Sequence, residues 1–275
     1  MQASYFAREA DEHIRTAFKN WRVVLLFGAR QIGKTTMAEN YFETIDVPKK
    51  KLLGQNRDIQ KSLGECSISS IRNVTGDAEF IFIDEAQYIP EIGTVLKLIY
   101  DTMPEVRVLA TGSSAFGLAS KTSEAMTGRK LSMSIFPLSV REIIKNSIFE
   151  DISYEGSQFL KYGTYPKVLS TMADGQKQEI LLELAESYLY KDVLEFQGIR
   201  KAPMIAKLAQ MLALQVGNQV SLSELSKSLE INKETVQNYI DVLIKSFIIF
   251  PLASLSRNPR KELHKSMKYY FYDNG

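Results

Sequence analysis

The stretch that decides the fold runs Gly28-Ala29-Arg30-Gln31-Ile32-Gly33-Lys34-Thr35. It fits the pattern G-x-x-x-x-G-K-[ST] at every position, and it follows the apolar run Val23–Phe27. The glycines let such a loop turn tightly, so that its backbone N–H groups point at phosphate oxygens and the following helix adds the positive end of its dipole. Because the stretch lies between a predicted buried strand and a helix predicted over residues 34–42, we predict a phosphate-binding loop (P-loop).

The predicted nucleotide site is built on this loop. Lys34 is expected to reach the β- and γ-phosphates, and the Thr35 hydroxyl is expected to bind Mg²⁺. A guanine-specific site would need Asn-Lys-x-Asp, which the chain lacks, and no pattern specifies the phosphate acceptor of a kinase. We therefore predict that the loop binds ATP and ADP. The predicted binding residues are Gly28, Ala29, Arg30, Gln31, Ile32, Gly33, Lys34, Thr35 and Thr36.

A second apolar run, Phe80–Ile83, leads into the acid pair Asp84 and Glu85. Such a pair is a weak signal by itself, because strands often end in solvated acids. It becomes a strong signal at the tip of a buried strand that follows a P-loop. We predict that Asp84 holds Mg²⁺ through water and that Glu85 polarises the attacking water.

A third predicted strand, Val106–Ala110, ends in the turn Thr111-Gly112-Ser113-Ser114. Ser113 is placed there to sense the γ-phosphate or to orient the water, and a hydroxyl that only caps the loop is the alternative. Arg129 follows Thr127-Gly128, and it is a candidate for stabilising transition-state charge on its own or a neighbouring nucleotide. A surface salt bridge is the alternative for Arg129. The catalytic candidates are Lys34, Glu85, Ser113 and Arg129.

Strands that alternate with helices predict an α/β fold, with a mostly parallel sheet and helices on both faces. Functional groups of such a sheet gather at the carboxyl ends of its strands. The pattern changes after Pro137, since residues 139–202 are mainly helical. Residues 204–250 contain three helical segments, a short turn at 230–232 and the apolar run Phe247–Phe250. This order predicts a helix-turn-helix followed by a wing.

Two segments of the second half are candidates for contact with DNA. The predicted recognition helix, residues 233–245, offers Gln237 and Asn238 to read adenine edges, but its acidic side chains cancel its lysines. The basic segment 257–268 is the better candidate, because phosphate affinity depends on neutralising contacts. A solvated basic linker and a helical module that only packs are the alternatives.

Composition excludes several other classes of protein. The 275 residues include 34 basic and 32 acidic ones, so the net charge of +2 argues neither for nor against a polyanionic partner. One cysteine, Cys66, and two distant histidines exclude a disulfide framework and argue against a Cys/His metal cluster. The N-terminus has no apolar signal core, and no apolar run approaches the roughly 20 residues that span a bilayer. We therefore predict a cytoplasmic protein that does not enter a membrane.

An ordered set of short motifs runs along nearly the whole chain. The motifs are Arg30-Gln31 within the P-loop, Phe82–Gln87, Thr111–Ser114, Gly128-Arg129, Pro137-Leu138-Ser139 with Glu142, and Tyr165-Pro166. Together they are far more specific than the P-loop alone. They resemble the AAA+-related ATPases of archaea and bacteria, whose cellular role is unknown.

The resemblance implies a P-loop ATPase core (residues 1–138), a helical lid (139–202) and a winged helix (203–256). It also implies that residues 257–275, with Tyr269–Asp273, begin a restriction-endonuclease-like domain that is truncated here. By the same resemblance Ser113 corresponds to the first sensor position and Arg129 to the Gly-Arg of the family. The oligomeric state is left open.

Two functions follow as hypotheses. The first is Mg²⁺-dependent ATP binding and hydrolysis, coupled to a change in the lid or in a partner. The second is a DNA-binding protein whose winged helix is switched by ATP, with hydrolysis incidental. The presence of Glu85 favours the first, and the two are compatible.

Overall fold

The computed structural model describes residues 5–112, 118, 122, 125–146, 152–187, 202–253 and 267–275. The chain divides into two units, Met1–Ile152 and Ser153–Gly275. Within the described residues, no helix is both long and apolar enough to cross a membrane.

The first unit contains a parallel sheet of five strands: β1 (Val23–Gly28), β2 (Lys49–Leu53), β3 (Phe80–Asp84), β4 (Arg107–Gly112) and β5 (Lys130–Ile135). Their order in the sheet is β2-β3-β4-β1-β5, so β1 lies between β4 and β5, and β3 lies between β2 and β4. Every residue of β1 is buried, as expected of a strand covered on both faces.

Helices connect these strands, and the predicted α/β fold is confirmed. One helix runs from Glu9 to Asn20, and the helix predicted over residues 34–42 ends at Glu43. Pro90 precedes Glu91, which is the N-cap of the helix Ile92–Thr102. The helices of the first unit are α1 (Glu9–Asn20), α2 (Lys34–Glu43), α3 (Arg57–Gly64), α4 (Ile68–Thr75), a 3₁₀ turn (Ala86–Tyr88), α5 (Ile92–Thr102) and α6 (Val140–Lys145).

Two strands of the first unit were not predicted, β2 and β5, and both lie at the edges of the sheet. β2 has the sequence Lys-Lys-Lys-Leu-Leu, and only Leu52 in it is buried. Lysines on an edge strand hinder pairing with another chain, so this composition suits an edge although it does not look like a strand. β5 is likewise mostly part-exposed and carries no continuous apolar run.

An aromatic cluster packs α1 and α2 onto the sheet. Phe18 of α1 stacks on Tyr41 of α2 with 5.5 Å between ring centroids. The ring of Phe80, in β3, meets both of them edge-on at 5.2 and 5.9 Å. This packing holds α2, and with it the loop before α2, against the strands.

The second unit consists of helices followed by an antiparallel hairpin, β6 (Ile249–Leu252) with β7 (Lys268–Phe271). The predicted turn at 230–232 lies between two helices, and the Asn232 side chain caps the second by accepting from the Thr235 N–H at 2.7 Å. The helices are α7 (Ile152–Tyr162), α8 (Pro166–Leu169), α9 (Asp174–Ser187), α10 (Ala202–Ala213), α11 (Leu222–Leu229) and α12 (Lys233–Lys245).

The last residues of the chain take part in this hairpin, where Tyr269 pairs with Pro251 and Tyr270 with Phe250. That Tyr269–Asp273 begins a further domain stays a prediction. The sequence shows only an aromatic run there, and its partner strand lies about 20 residues upstream. α6 falls in the first unit, whereas the sequence analysis placed residues 139–202 in a lid. The finer division into core, lid and winged helix stays a prediction.

Asp273 fastens the end of the chain to the turn after α7. Its carboxylate accepts hydrogen bonds from the Thr164 N–H at 2.6 Å and from the Gly275 N–H at 2.9 Å. Gly163 sits beside it with φ +71, and a Cβ built there would lie 1.7 Å from Asp273 Oδ1. The contact therefore requires glycine at position 163.

We predict that Gly163→Ala destabilises the second unit by about 2 kcal/mol, from the left-handed φ together with the loss of Asp273 hydrogen bonds. Hydrogen exchange of peptides covering 152–170 and 267–275 measures this opening separately from the first unit. The control is Gly175→Ala in α9, where a Cβ meets nothing within 4 Å and no loss of protection is expected. Equal protection in Gly163→Ala and the wild type would contradict the prediction.

Candidate nucleotide site

The P-loop joins the end of β1 to the start of α2. Gly28 has φ +151, and a Cβ built there would lie 2.2 Å from the Ile135 carbonyl oxygen of β5. Gly33 is the N-cap of α2 and has φ +91, which favours glycine. The two glycines of the pattern thus stand where the backbone needs them, and the N-terminus of α2 opens at the loop.

Lys34 is buried within the loop, with 5% of its surface exposed. Its ammonium donates hydrogen bonds to the carbonyl oxygens of Gly28 at 2.9 Å and Ala29 at 2.6 Å. A buried charge needs such partners, and here they hold the ammonium at the loop that is predicted to take the phosphates. The other loop residues differ in exposure: Ile32 is fully buried, Arg30 and Thr35 are half-buried, and Gln31 and Thr36 are exposed.

Asp84 joins the P-loop to the sheet. Its Oδ1 atom accepts a hydrogen bond from the Thr35 hydroxyl at 2.8 Å and another from the Thr111 hydroxyl at 2.6 Å. The carboxylate of Asp84 and the hydroxyl of Thr35 are hard oxygen ligands of the kind that Mg²⁺ prefers. No group of three or more His, Cys, Asp or Glu side chains that could hold a metal occurs in the described parts of the chain. An ion here would keep several waters, as Mg²⁺ usually does.

Thr111 is a site residue that the sequence analysis did not single out. It is fully buried near the end of β4, and its hydroxyl also accepts a hydrogen bond from the Glu85 N–H at 3.0 Å. One hydroxyl therefore fixes the Asp84 carboxylate and the Glu85 backbone together. The only signal for this role in the sequence was the place of Thr111 in a strand, and that strand lies beside β3 in the structure.

Glu85 adopts a left-handed backbone conformation, with φ +51, directly after β3. Its carboxylate accepts a hydrogen bond from the side-chain amide of Gln87. A non-glycine residue in this conformation costs of order 1 kcal/mol and persists where its surroundings hold it. The Thr111 hydroxyl and the Gln87 amide are two such contacts, and Gln87 is the second residue that the sequence analysis did not single out.

The structure does not bring Arg129 to the P-loop of its own chain. Lys130 pairs with Val23 at the start of β1, whereas the P-loop follows the end of that strand, roughly 16 Å away at 3.3 Å per residue. The Arg129 Nε lies 3.3 Å from Asp101 Oδ1, so the salt bridge is the alternative that the structure contains. Ser113, the remaining catalytic candidate, lies outside the described residues.

Comparison with protein families assigns both halves of the chain. Residues 20–144 match a family model described as an AAA domain. Residues 155–275 match a model described as a domain of unknown function, DUF8612.

The relatives found are uncharacterized proteins. One from Methanocaldococcus jannaschii is 27% identical, over 92% of this chain and 61% of its own length. One from Mycobacterium tuberculosis is also 27% identical, over 98% of this chain and 58% of its own length. The chain thus spans about three fifths of the length of the curated relatives that it matches.

Among solved structures, the chain is similar to a Walker-type ATPase of Pyrococcus abyssi, with a TM-score of 0.65 and 14% identity. The similarity covers 99% of this chain and 95% of that one, and at this identity it shows the fold. Residues 20–144 are therefore a P-loop domain of the AAA type, and the resemblance to AAA+-related ATP-binding proteins is confirmed.

Proposed function

We propose that this chain binds ATP with Mg²⁺ and hydrolyses it. The observation that carries the proposal is the junction at Asp84, whose carboxylate receives the hydroxyls of Thr35 and Thr111. An ATPase needs this link, because the phosphate-binding loop and the acidic strand have to act on the same γ-phosphate. The match of residues 20–144 to an AAA domain supports the proposal independently.

Each residue of the proposed site has a role that follows from its position. Lys34 places its positive charge against the β- and γ-phosphates. Thr35 and Asp84 would hold Mg²⁺, which when bound neutralises charge on the phosphate oxygens. The N-terminus of α2 adds its positive dipole to the same place. These groups bind and orient the triphosphate.

Glu85 is the proposed general base. Its carboxylate would accept the proton of the water that attacks the γ-phosphate. Thr111 fixes its backbone, and Gln87 donates to its carboxylate, so that the base is restrained from two sides. A base held in place loses little entropy at the moment of reaction. We further propose that hydrolysis drives a change in the second unit or in a partner.

We predict that Lys34→Ala abolishes Mg²⁺-dependent phosphate release and weakens ATP binding, since it removes the buried charge of the loop. Glu85→Gln should lower turnover by about 10²–10⁴-fold and leave binding intact, because it removes only the base. Steady-state phosphate release and titration with a fluorescent ATP analogue measure the two effects. Wild-type turnover no faster than that of Glu85→Gln at saturating ATP would contradict the proposal.

We predict that Thr111→Val lowers turnover by about 10–100-fold, as is typical when a partner of the reacting or ligating groups is lost. Thr111→Ser, which keeps the hydroxyl, should retain most of the activity. The control is Thr75→Val, since Thr75 is also buried and its hydroxyl donates only to the Ile71 carbonyl of its own helix α4 in the contacts described here. Equal activity in Thr111→Val and Thr75→Val would refute a role for the Thr111 hydroxyl.

DNA binding by the second unit is a second candidate function, favoured by the order α11, turn, α12 and hairpin. Gln237, one of the two candidates for reading bases, donates a hydrogen bond to Asp241 at 2.9 Å on the same helix. Asp241 thus competes with a base for the side-chain amide of Gln237, and its negative charge repels DNA phosphates. The basic segment 257–268 lies outside the described residues except for its last two.

We predict that duplex DNA is retained more weakly as salt rises, and that Asp241→Asn tightens binding several-fold, because one negative charge leaves the helix face. Fluorescence anisotropy with a duplex, with and without Mg·ATP, measures both. The matched control is Glu179→Gln, an exposed acid on α9 outside the helix-turn-helix. The DNA hypothesis fails if neither the wild type nor Asp241→Asn shows salt-dependent binding, with or without Mg·ATP.

A further inference from the structure

Arg8 lies at the start of α1 with 8% of its surface exposed, and its guanidinium touches three separate segments. Its Nε pairs with Glu142 Oε1 of α6 at 3.3 Å. Its Nη1 donates to the Ile32 carbonyl of the P-loop at 3.2 Å. Its Nη2 donates to the Phe136 carbonyl, between β5 and α6. A planar guanidinium is the side chain that can serve several acceptors from one fixed position.

The contact to Ile32 ties this group to the nucleotide site. Ile32 is fully buried and stands two positions before Lys34 in the P-loop. Its carbonyl is part of the backbone that must present N–H groups to the phosphates. A donor on that carbonyl restricts the orientation of the peptide, and with it the shape of the loop.

The other side of Arg8 is anchored on α6. Glu142 accepts from the Ser139 N–H at 2.9 Å and from the Glu9 N–H at 2.8 Å. Asn146, at the end of α6, exchanges two hydrogen bonds with the backbone of Ala7, at 2.8 and 2.9 Å. The chain around Arg8 is thus held against α6 by side chains at both ends of that helix.

Glu142 is a charged partner in this arrangement. Burial by itself would raise the pKa of its carboxyl group, but the hydrogen bonds from Ser139 and Glu9 and the charge of Arg8 outweigh burial and lower the pKa. The carboxylate therefore stays ionised at neutral pH and keeps its attraction for the guanidinium.

We propose that Arg8 is a positioning residue that holds the P-loop ready for phosphate and couples its occupancy to α6. The inference rests on the proposed function, because it assigns the loop a nucleotide. Binding of phosphate shifts or stiffens the Ile32 peptide, and Arg8 carries that change to Glu142. α6 ends at Lys145, shortly before the second unit begins at Ser153.

An ion pair that serves only stability is the competing explanation, and substitutions separate the two. Arg8→Met leaves the Glu142 carboxylate buried without its cation, which destabilises the first unit whatever its function. Arg8→Met combined with Glu142→Met removes both charges and is expected to recover much of that stability. The double variant does not restore the hydrogen bond to the Ile32 carbonyl. Stability and loop positioning therefore diverge in the double variant.

The experiment measures the affinity for a fluorescent analogue of ADP with Mg²⁺, together with thermal unfolding, in the full chain. We expect Arg8→Met and the double variant to bind about tenfold more weakly, with kcat within about twofold of wild type, as loss of preorganisation implies. Arg8→Lys keeps the charge but has no planar fork, so partial rescue is expected. Arg15→Met is the control, since Arg15 is exposed on the same helix and pairs only with Glu12 among its described contacts.

Hydrogen exchange supplies the readout for coupling. With Mg·ADP at saturation, wild type should gain protection in the P-loop and in residues 136–146, whereas Arg8→Met should gain it in the P-loop alone. Affinity that recovers with stability in the double variant would overturn the inference and leave a structural ion pair. Unchanged protection of 136–146 in the wild type would overturn the coupling. Wild type that binds no nucleotide at all would instead overturn the proposed function.

Discussion

The hydrogen bonds that meet at one oxygen of Asp84 depend on the order of the strands. β4 lies between β1 and β3, so Thr111 is within reach of the strand that ends in Asp84 and of the strand that leads into the P-loop. Ile83 pairs with Ala110, and Phe27 pairs with Gly112, so the three strands end almost level. Without this register the hydroxyls of Thr35 and Thr111 could not share a carboxylate. The parallel sheet is therefore what turns two distant motifs into one site.

The parts of this arrangement that could be predicted are those that depend on residues close together in the sequence. A buried central strand needs a continuous apolar run, and the P-loop needs glycine at Gly28 and Gly33, so both are visible in the sequence. The edge strands β2 and β5 have one free side and mixed composition, and they were missed for that reason. The apolar run Phe247–Phe250 predicts a wing, but the strand Lys268–Phe271 that pairs with Ile249–Leu252 was not predicted, because pairing across a long connection leaves no trace in a local pattern.

The site residues divide in the same way. Lys34, Thr35, Asp84 and Glu85 belong to motifs with fixed spacing, so the sequence alone predicts them for the site. Thr111 and Gln87 lie within the motifs quoted from the sequence, but no role could be assigned to them there. Their function depends on which atoms of other segments lie next to their side chains. Arg8 gave no signal at all, because its three partners come from positions 32, 136 and 142. Contacts between distant segments are set by tertiary structure, which a single sequence does not reveal.

The cost of burying polar groups indicates which of these contacts matter. Arg8, Lys34, Thr111 and Glu142 are all buried in the first unit, and each of them contacts the P-loop, the Asp84 junction or a residue that does. A buried charge is destabilising unless it is paired, and an apolar pair of similar volume would often be as stable. A fold that needed only stability has no reason to gather such groups around one loop. Arg129 illustrates the contrast, since it is part-exposed, pairs with Asp101 and lies at the opposite end of the sheet. Arg129 thus lies away from the P-loop of its own chain, whereas the buried groups lie at the loop that they hold.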